Sequence, residues 1–412
     1  MHLLLISSTF PPNNDGGAVQ IGRFLEALDP SVRVTVVTTV TTEGQNKRDP
    51  TPVPNRPGMR TITLSFPFQN FRFLPVQTLT RRVWGTLLRA KQPIPATEFS
   101  LPWSSAHVAR RLDDMPDVIY SYSMPISSAL LARRLKKRLG RPWMMHLSDL
   151  WAASPYRQFP SRQAALDRAL EAVCFTEADL ISVTTESQAA HYRARYPDRA
   201  EAIRVAPIMM PLTIAREVKP RRKGPLRLVH TGAFYDLRNP STLLAAMELL
   251  HARAPSEAAQ IQVDFYGQMS SEIAARIDAT SGCKQHGSVS LEAVARVQAE
   301  ADILITIEPG GTNPMLLHFM PSKNMEYIAC GKPILAITPD GSETARLCAT
   351  GYGWAVDPDD SVAVAEKLSC LARDHMAGKP LPDLPDVKDL PFCARSVTAA
   401  VFKDLQQLMS AR

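Results

Sequence analysis

A serine, a lysine and a glutamate stand close together after Pro321, and their types suit the binding of a phosphate and a sugar. Pro321 fits the start of a helix better than its interior, so we expect a short helix to begin at Ser322 or Lys323 and to end at Gly331. The N-terminus of a helix presents unpaired N–H groups and a partial positive charge, which together bind phosphate or diphosphate. Glu326, one turn further on, is placed to accept two hydrogen bonds from a ribose.

Two interpretations of this segment stay open from its residues alone. The serine hydroxyl and the lysine ammonium in a first helical turn favour a diphosphate site. The same spacing is found in ordinary capped helices that carry a lysine–glutamate pair on their surface. The remaining segments must therefore be tested for other groups that would bind the same ligand.

Two segments in the first half of the chain place chemistry-bearing residues after predicted strands. An apolar strand over residues 1–8 is followed by Gly16 and Gly17, and a strand over 143–147 carries His146 and leads to Asp149. Ligands of open α/β sheets collect at the carboxyl ends of the strands, so His146 and Asp149 are candidates for the reaction centre. The glycine pair ends a loop that precedes a helix predicted over 18–28, and it lets the backbone approach a ligand closely. The alternatives are a histidine bonded to the backbone and a tight turn without a ligand.

Alternating strands and helices along 412 residues predict an α/β protein with two units, each able to bury its own core. We expect the first unit over 1–206 and the second over 226–390. Prolines and basic residues cluster over 207–225, which predicts a linker. The tail over 391–412 is expected to form an amphipathic helix.

Composition excludes several classes of protein. Hydrophobic residues make up 45% and charged residues 21%, which is typical of soluble globular proteins. The six cysteines show no metal-type spacing, and we expect reduced thiols and no metal site. The net charge of +7 suits an anionic substrate or membrane surface but is too diffuse to indicate nucleic acid. Without a signal peptide or an apolar span, we expect a cytoplasmic protein, with peripheral contact to the inner face of the cell membrane as an option.

Aromatic and basic residues are interleaved over residues 66–103. A helix over 78–91 with an apolar and a basic face would suit an anionic membrane surface and a lipid-linked acceptor. The alternative, a helical insertion that packs on its unit and exposes its charges, is favoured because one mixed helix is weak evidence.

Several strings in the second half resemble those of a known family. Pro-Ser-Lys, then Glu-Tyr, then Ala-Cys-Gly-Lys-Pro-Ile after Pro321 resembles the nucleotide-sugar-binding helix of family 4 glycosyltransferases, in particular a bacterial polysaccharide-type subgroup. The resemblance covers nearly the whole chain and is strongest over 229–240 and 321–345. It implies the GT-B fold, in which two Rossmann-like α/β domains face each other across a cleft. It also implies that the C-terminal helix over 391–412 returns to the first domain.

The resemblance also implies which residues bind the donor. In the family, the loop over 232–240 carries an arginine or lysine that grips the donor diphosphate, and Arg238 fits because guanidinium pairs well with phosphate oxygens. The segment after His286 resembles the one beside the nucleobase. The full set of expected donor contacts is Gly16, Gly17, Gly232, Arg238, Gly287, Val289, Ser322, Lys323 and Glu326.

The implied reaction moves a sugar from a nucleoside diphosphate to an acceptor hydroxyl, with retention at the anomeric carbon. The acceptor would be a sugar or a lipid-linked molecule in polysaccharide, glycolipid or glycoconjugate synthesis. Arg238, Lys323 and the helix end would stabilise the departing diphosphate, so no metal or other cofactor is expected beside the nucleotide-sugar substrate. His146 or Asp149 would position the acceptor or stabilise the ring charge. No carboxylate stands out as a nucleophile, which favours front-face attack.

One position departs from the family pattern. Many members carry two glutamates separated by seven residues, the second being the ribose-binding acid, and here the first position is His318. A histidine cannot replace a carboxylate as a charged acceptor. Two rival interpretations stay open: a GT-B nucleotide-sugar epimerase or hydrolase, and a catalytically inactive nucleotide-sugar-binding protein, which His318 supports.

Overall fold

The structure is a computed structural model that describes residues 1–39, 50–64, 104–123, 126–157, 159–212, 224–234, 237–311, 313–387 and 390–410. They form two compact units, Met1–Leu212 with Ala394–Arg412 and Thr213–Cys393. The segment 66–103 lies outside the described residues, as does 213–223 of the expected linker.

A parallel sheet of seven strands forms the centre of the first unit, in the order β3-β2-β1-β4-β5-β6-β7. Its strands are β1 (His2–Ile6), β2 (Arg33–Thr39), β3 (Arg60–Leu64), β4 (Val118–Ser123), β5 (Trp143–Leu147), β6 (Leu180–Val183) and β7 (Ile203–Val205). The order of the strands reverses between β1 and β4, which is where doubly wound sheets bind ligands.

A parallel sheet of six strands forms the centre of the second unit, in the order β10-β9-β8-β11-β12-β13. Its strands are β8 (Leu226–Thr231), β9 (Ile261–Tyr266), β10 (Cys283–Gln285), β11 (Ile303–Ile307), β12 (Ile334–Ile337) and β13 (Gly353–Val356). The two sheets confirm the α/β prediction.

Helices cover the faces of the sheets, which explains why the inner strands are continuous apolar runs and not alternating ones. The α-helices are α1 (Gly16–Ala27), α2 (Ser104–Arg111), α3 (Ser127–Leu139), α4 (Ser161–Glu177), α5 (Glu186–Arg195), α6 (Ser241–Arg253), α7 (Pro255–Ala258), α8 (Ser271–Ala279), α9 (Leu291–Glu300), α10 (Lys323–Ala329), α11 (Glu343–Leu347), α12 (Ser361–Met376) and α13 (Ala394–Ser410). Two 3-10 helices (Pro197–Ala202 and Pro314–His318) and one π-helical turn (Cys348–Tyr352) complete the described elements.

The start and end of the chain share one core. Val397, Val401 and Leu405 of α13 pack in the same cluster as Leu3 of β1 and Phe24 of α1. In the second unit, α6 and α12 cover the same face of the sheet. The last helix thus belongs to the first unit, although it follows the second in sequence.

Candidate active site

Helix α10 begins with Lys323 and is only seven residues long, so its position depends on contacts outside the helix. Tyr327, which is buried, accepts a hydrogen bond from Thr231 N at 3.0 Å, and its hydroxyl lies 3.3 Å from the carbonyl oxygen of Ile305. Strands β8 and β11 thus hold one side of the helix.

Asn324 anchors the start of the same helix. Its Oδ1 accepts a hydrogen bond from Thr306 Oγ1 at 2.6 Å, and its Nδ2 donates one to Thr344 Oγ1 at 3.0 Å. Thr344 in turn donates to Glu308 Oε1 at 2.7 Å. Because Asn324 is fully buried, these bonds link α10 to β11 and α11 without competition from water.

The Lys323 side chain lies directly on the backbone at Gly232. A Cβ atom at Gly232 would stand 2.6 Å from Lys323 Nζ and 3.1 Å from Cε, and Gly232 has a φ of +136°. Both the close approach and the positive φ require glycine at this position. The loop that follows β8 is therefore shaped to receive the lysine.

The imidazole ring of His230 in β8 contacts the amino group of Lys323. It is fully buried, its ring stacks on Phe234 at a centroid distance of 4.7 Å, and its Nδ1 lies 3.0 Å from the carbonyl oxygen of Ile305. A carbonyl only accepts, so Nδ1 carries the proton and Nε2 is the acceptor that faces Lys323 Nζ at 3.4 Å. Burial, with Lys323 and Arg238 nearby, holds the pKa of His230 well below its usual value, so the ring stays neutral.

Four charged or polar groups surround the lysine: His230, Arg238, Glu308 and Glu326. Burial and the Arg238 guanidinium lower the pKa of Lys323 to about 7, while the two carboxylates oppose the shift. Arg238 disfavours the charge of Lys323, and an anionic ligand between the two cations would relieve this repulsion.

Glu308 follows β11 directly and was not singled out from the sequence. It is 6% exposed, and its two oxygens accept hydrogen bonds from Thr338 and Thr344. Burial raises the pKa of Glu308, and its hydrogen bonds and the charges of Arg238 and Lys323 counteract this rise. Its place at the carboxyl end of a strand was the signal that would have identified it.

Three glycines line the carboxyl ends of β8, β9 and β10. Gly267, with a φ of +145°, packs so closely that a Cβ would stand 2.1 Å from the carbonyl oxygen of Gly232. Gly267 N donates to the carbonyl oxygen of Gly287 at 2.8 Å. Half-buried glycine backbone therefore runs from the loop at Lys323 to the segment of Gly287 and Val289, and Val289 is 36% exposed.

The remaining predicted residues of this unit lie at or near the lysine. Ser322 directly precedes α10 and makes no capping hydrogen bond with its side chain. Arg238 is half-buried and interacts electrostatically with Lys323. Glu326 lies in the first turn of α10, and His318 ends the preceding 3-10 helix. The structure thus brings Gly232, Arg238, Lys323 and Glu326 together.

In the first unit, Tyr122 contacts His146 of β5 and interacts electrostatically with Asp149, which follows β5. Its ring stacks on His146 at a centroid distance of 4.4 Å. Burial above all, and then the charges of Tyr120, Asp149 and Asp15, hold the pKa of the Tyr122 phenol well above its usual value. His146 is 3% exposed, and its Nδ1 lies 2.9 Å from Ser182 Oγ. Burial lowers the pKa of His146 to about 3, so the ring stays neutral at physiological pH.

The loop that carries Asp149 is fixed by acids of α4. Trp151 Nε1 donates to Asp167 Oδ1 at 2.9 Å, and Ala152 N donates to Glu171 Oε2 at 2.7 Å. Both carboxylates are buried. Asp149, which is half-buried, therefore sits on a rigid segment at the carboxyl end of the sheet.

The glycine pair forms the first turn of a helix, not the preceding loop as predicted. Helix α1 begins at Gly16 because the Asp15 carboxylate accepts a hydrogen bond from Ala18 N at 3.0 Å. A Cβ at Gly17 would stand 2.6 Å from Thr9 Oγ1. Gly17 thus allows the helix to pack closely on the loop after β1.

Among the residues that the structure describes, no three His, Cys, Asp or Glu side chains are grouped so as to hold a metal ion. No helix in the described part of the chain is long and apolar enough to cross a bilayer.

Two family models match the chain: a glycosyl transferase 4-like domain over residues 15–208, and glycosyl transferases group 1 over residues 225–374. The chain is built from two glycosyltransferase domains. His146 and Asp149 belong to the 4-like domain of this glycosyltransferase, and the Lys323 cluster belongs to the group 1 domain. No curated protein matches the sequence.

Solved structures show the fold of the glycosyltransferase. HepE from Anabaena in complex with UDP-glucose has a TM-score of 0.61 at 14% identity, over 100% of this chain and 99% of HepE. The lipopolysaccharide outer core galactosyltransferase WaaB has 0.56 at 14%, over 98% and 100%. An α,α-trehalose-phosphate synthase (UDP-forming) from Burkholderia vietnamiensis has 0.63 at 11%, over 99% and 100%. The fold is GT-B, as the sequence predicted.

Proposed function

We propose that the protein transfers a sugar from a nucleoside-diphosphate sugar to an acceptor hydroxyl, with retention and without a metal. The observation that carries the proposal is the Lys323 amino group, which lies on the Gly232 backbone beside Arg238 at the carboxyl end of the second sheet. Two cations at a glycine-bordered strand end suit a diphosphate. HepE, which has the same fold, was solved with UDP-glucose.

The chemical task is to stabilise the diphosphate as it leaves. Negative charge grows on the bridging oxygen, and fixed cations that already point at it lower the barrier without reorganisation. Arg238 would bind phosphate oxygens through paired hydrogen bonds and Lys323 as a point charge. Ser322 would add a hydroxyl donor. These groups take the place of a metal ion in the proposed reaction.

The ribose and the base of the donor would lie along the backbone of Gly232, Gly267 and Gly287. Glu326 would accept hydrogen bonds from the ribose, and Gly287 with Val289 would lie beside the base. Support comes from the hydrogen bond between Gly267 N and the Gly287 carbonyl, which makes the two segments continuous. The proposed contribution of Gly16 and Gly17 is close approach of backbone to the donor.

On the acceptor side, we assign Asp149 to the acceptor hydroxyl or to the charge on the sugar ring. A neutral His146 would act only through hydrogen bonds, because its low pKa excludes an imidazolium near pH 7. Front-face attack fits a site in which no carboxylate is singled out as nucleophile. The acceptor class would be a sugar or lipid-linked molecule of polysaccharide, glycolipid or glycoconjugate synthesis.

Lys323→Ala and Arg238→Ala test the donor site. Each change should cost about 3 kcal/mol of transition-state stabilisation, or roughly 100-fold in kcat/KM, the scale of one lost oxyanion donor. Lys284→Ala, which removes an exposed lysine of the same unit, is the matched control and should leave kcat/KM unchanged within twofold. Near-normal turnover by both site variants would refute the proposal.

Thermal shift against UDP-, GDP- and dTDP-sugars identifies the donor, and NMR of the product gives the anomeric configuration. An inverted product would refute retention. His318 in place of a carboxylate supports the binding-only rival, which predicts calorimetric binding without turnover for every acceptor tried. Sugar nucleotide altered without an acceptor would instead indicate an epimerase or hydrolase.

Location in the cytoplasm at the inner face of the membrane remains a prediction. Peripheral contact predicts sedimentation with anionic vesicles that weakens as salt rises, since charge screening grows with ionic strength. Absence of binding at low salt would remove the membrane from the proposal.

A further inference from the structure

His230 is a buried histidine that none of the proposed steps uses. It lies in β8, and its two ring nitrogens have different partners: the Ile305 carbonyl oxygen at 3.0 Å and Lys323 Nζ at 3.4 Å. Its ring is fixed by stacking on Phe234, with an interplanar angle of 8°. A side chain held this firmly presents its Nε2 lone pair in one direction, toward the lysine.

We propose that His230 is a positioning residue, whose Nε2 accepts a hydrogen bond from Lys323 and holds the lysine nitrogen over Gly232 to meet the donor diphosphate. The inference rests on the proposed function for the position of the diphosphate. Its support is geometric: Nε2 and the missing Cβ of Gly232 approach the same nitrogen, since that Cβ would stand 2.6 Å from Nζ and 3.9 Å from Nε2.

A neutral acceptor has an advantage over a carboxylate in this place. A carboxylate at the position of Nε2 would form a direct ion pair with Lys323 that an incoming phosphate has to break, whereas a neutral imidazole orients the lysine without adding negative charge to the site. His230 stays neutral because burial, Lys323 and Arg238 all disfavour the imidazolium. The carboxylates of Glu308 and Glu326 act on Lys323 from β11 and from its own helix.

The protonation state of Lys323 therefore depends on whether the donor diphosphate is bound. The pKa of Lys323 is about 7, so part of the ligand-free protein carries a neutral amine at neutral pH. A bound diphosphate favours the ammonium, and binding then takes up a proton from solvent. Removal of the Nε2 acceptor destabilises the ammonium further, because one of its hydrogen bonds is lost.

The first test needs no nucleotide. Competitive acetylation with acetic anhydride, followed by mass spectrometry of the Lys323 peptide from pH 5 to 10, gives the midpoint at which this lysine becomes reactive. His230→Asn keeps a donor for Ile305 but is too short to reach the lysine, and His230→Gln offers an amide oxygen to the lysine. His251→Phe, which removes a histidine bonded to the Ser281 carbonyl, is the matched control.

We expect the midpoint of His230→Asn to fall below that of the wild type, and those of His230→Gln and His251→Phe to stay near it. His230→Phe, which keeps the stacking on Phe234, should behave as His230→Asn and guards against a folding defect in either amide variant. Equal midpoints for the wild type, His230→Asn and His230→Phe, in protein folded by circular dichroism, would overturn the inference.

The second test is calorimetry with UDP at pH 6.0 and 7.5. His230→Asn should weaken UDP binding about tenfold at pH 7.5, the scale of a hydrogen bond to a charged group, and less at pH 6.0, where the lysine is protonated again. In a Lys323→Ala background the same change should have less than a twofold effect. An equal loss in both backgrounds would overturn the inference.

Failure of the proposed function has a different signature. If UDP, GDP and dTDP all fail to bind the wild type, the donor site is wrong, while acetylation still decides whether His230 controls the lysine.

Discussion

Replacement of Gly232 by alanine is the sharpest perturbation that the structure offers. The added Cβ would stand 2.6 Å from Lys323 Nζ, a distance that real Cβ contacts do not reach, so the lysine end must move. The residue also has a φ of +136°, which L side chains rarely adopt. The substitution therefore combines a local backbone cost with displacement of the proposed diphosphate-binding cation.

The two effects differ in magnitude and in readout. Backbone strain should cost about 1–2 kcal/mol of unfolding free energy, partly offset by about 0.4–1 kcal/mol because alanine restricts the unfolded chain. Displacement of Lys323 should cost up to about 3 kcal/mol in transition-state stabilisation, or roughly 100-fold in kcat/KM. Gly378→Ala is the matched control, since it has a φ of +70° and open space around the Cβ.

The assay is a double-mutant cycle in kcat/KM with Lys323→Ala, together with urea unfolding of each variant. We expect Gly232→Ala to lose activity in the wild-type background and to change little once the lysine is absent, because its target is gone. Gly378→Ala should show the strain in unfolding alone. Additive losses in the cycle, or full activity of Gly232→Ala, would show that the absence of a side chain at Gly232 is not required to position Lys323.

Three further predictions concern stability. Asn324→Leu leaves the Thr306 and Thr344 hydroxyls without their buried partner and should lower the unfolding free energy by about 2–3 kcal/mol in urea, while an unchanged midpoint would contradict the buried network. The pKa of Lys323 is about 7 in the folded protein and 10.5 in the unfolded chain, so the unfolded chain binds more protons between these two pH values and stability rises with pH. Lys323→Met should lose this rise between pH 7 and 9.5. The pKa of His146 falls from 6.5 to about 3 on burial, so stability drops as pH falls through this window, and His146→Phe should be less sensitive to acid at pH 4.5 than the wild type.

The fold could be predicted because its signals are local. Runs such as Leu3, Leu4 and Leu5, all fully buried, are apolar on both faces, which indicates a parallel sheet covered by helices. The short, polar helix Ser104–Arg111 was missed because it has a narrow apolar face and follows the segment 66–103. Helix α1 begins two residues before its predicted start at residue 18, because the capping role of Asp15 was not recognised.

The candidate site could be predicted only in part. The Pro-Ser-Lys string located Lys323, whose residue type and place in a first turn carry information in sequence alone. His230 and Glu308 were missed because a histidine inside an apolar strand and an acid before Pro309 have no distinctive spacing; both gain meaning from neighbours that are distant in sequence. Which of these residues come into contact depends on how the strands align with the helix, and no local sequence pattern encodes this alignment.

The position of the Lys323 side chain is fixed by contacts with the sheet and not by the helix that carries it. A seven-residue helix is too short to be stable by itself, so the direction of Lys323 depends on what holds Asn324 and Tyr327. Asn324 is bonded to the β11 residue Thr306, and the Tyr327 hydroxyl is bonded to the β8 backbone at Thr231 and lies by the β11 carbonyl of Ile305. The same two strands supply His230 and lead to Glu308. Lysine, acceptor and carboxylate are thus all positioned by strands β8 and β11.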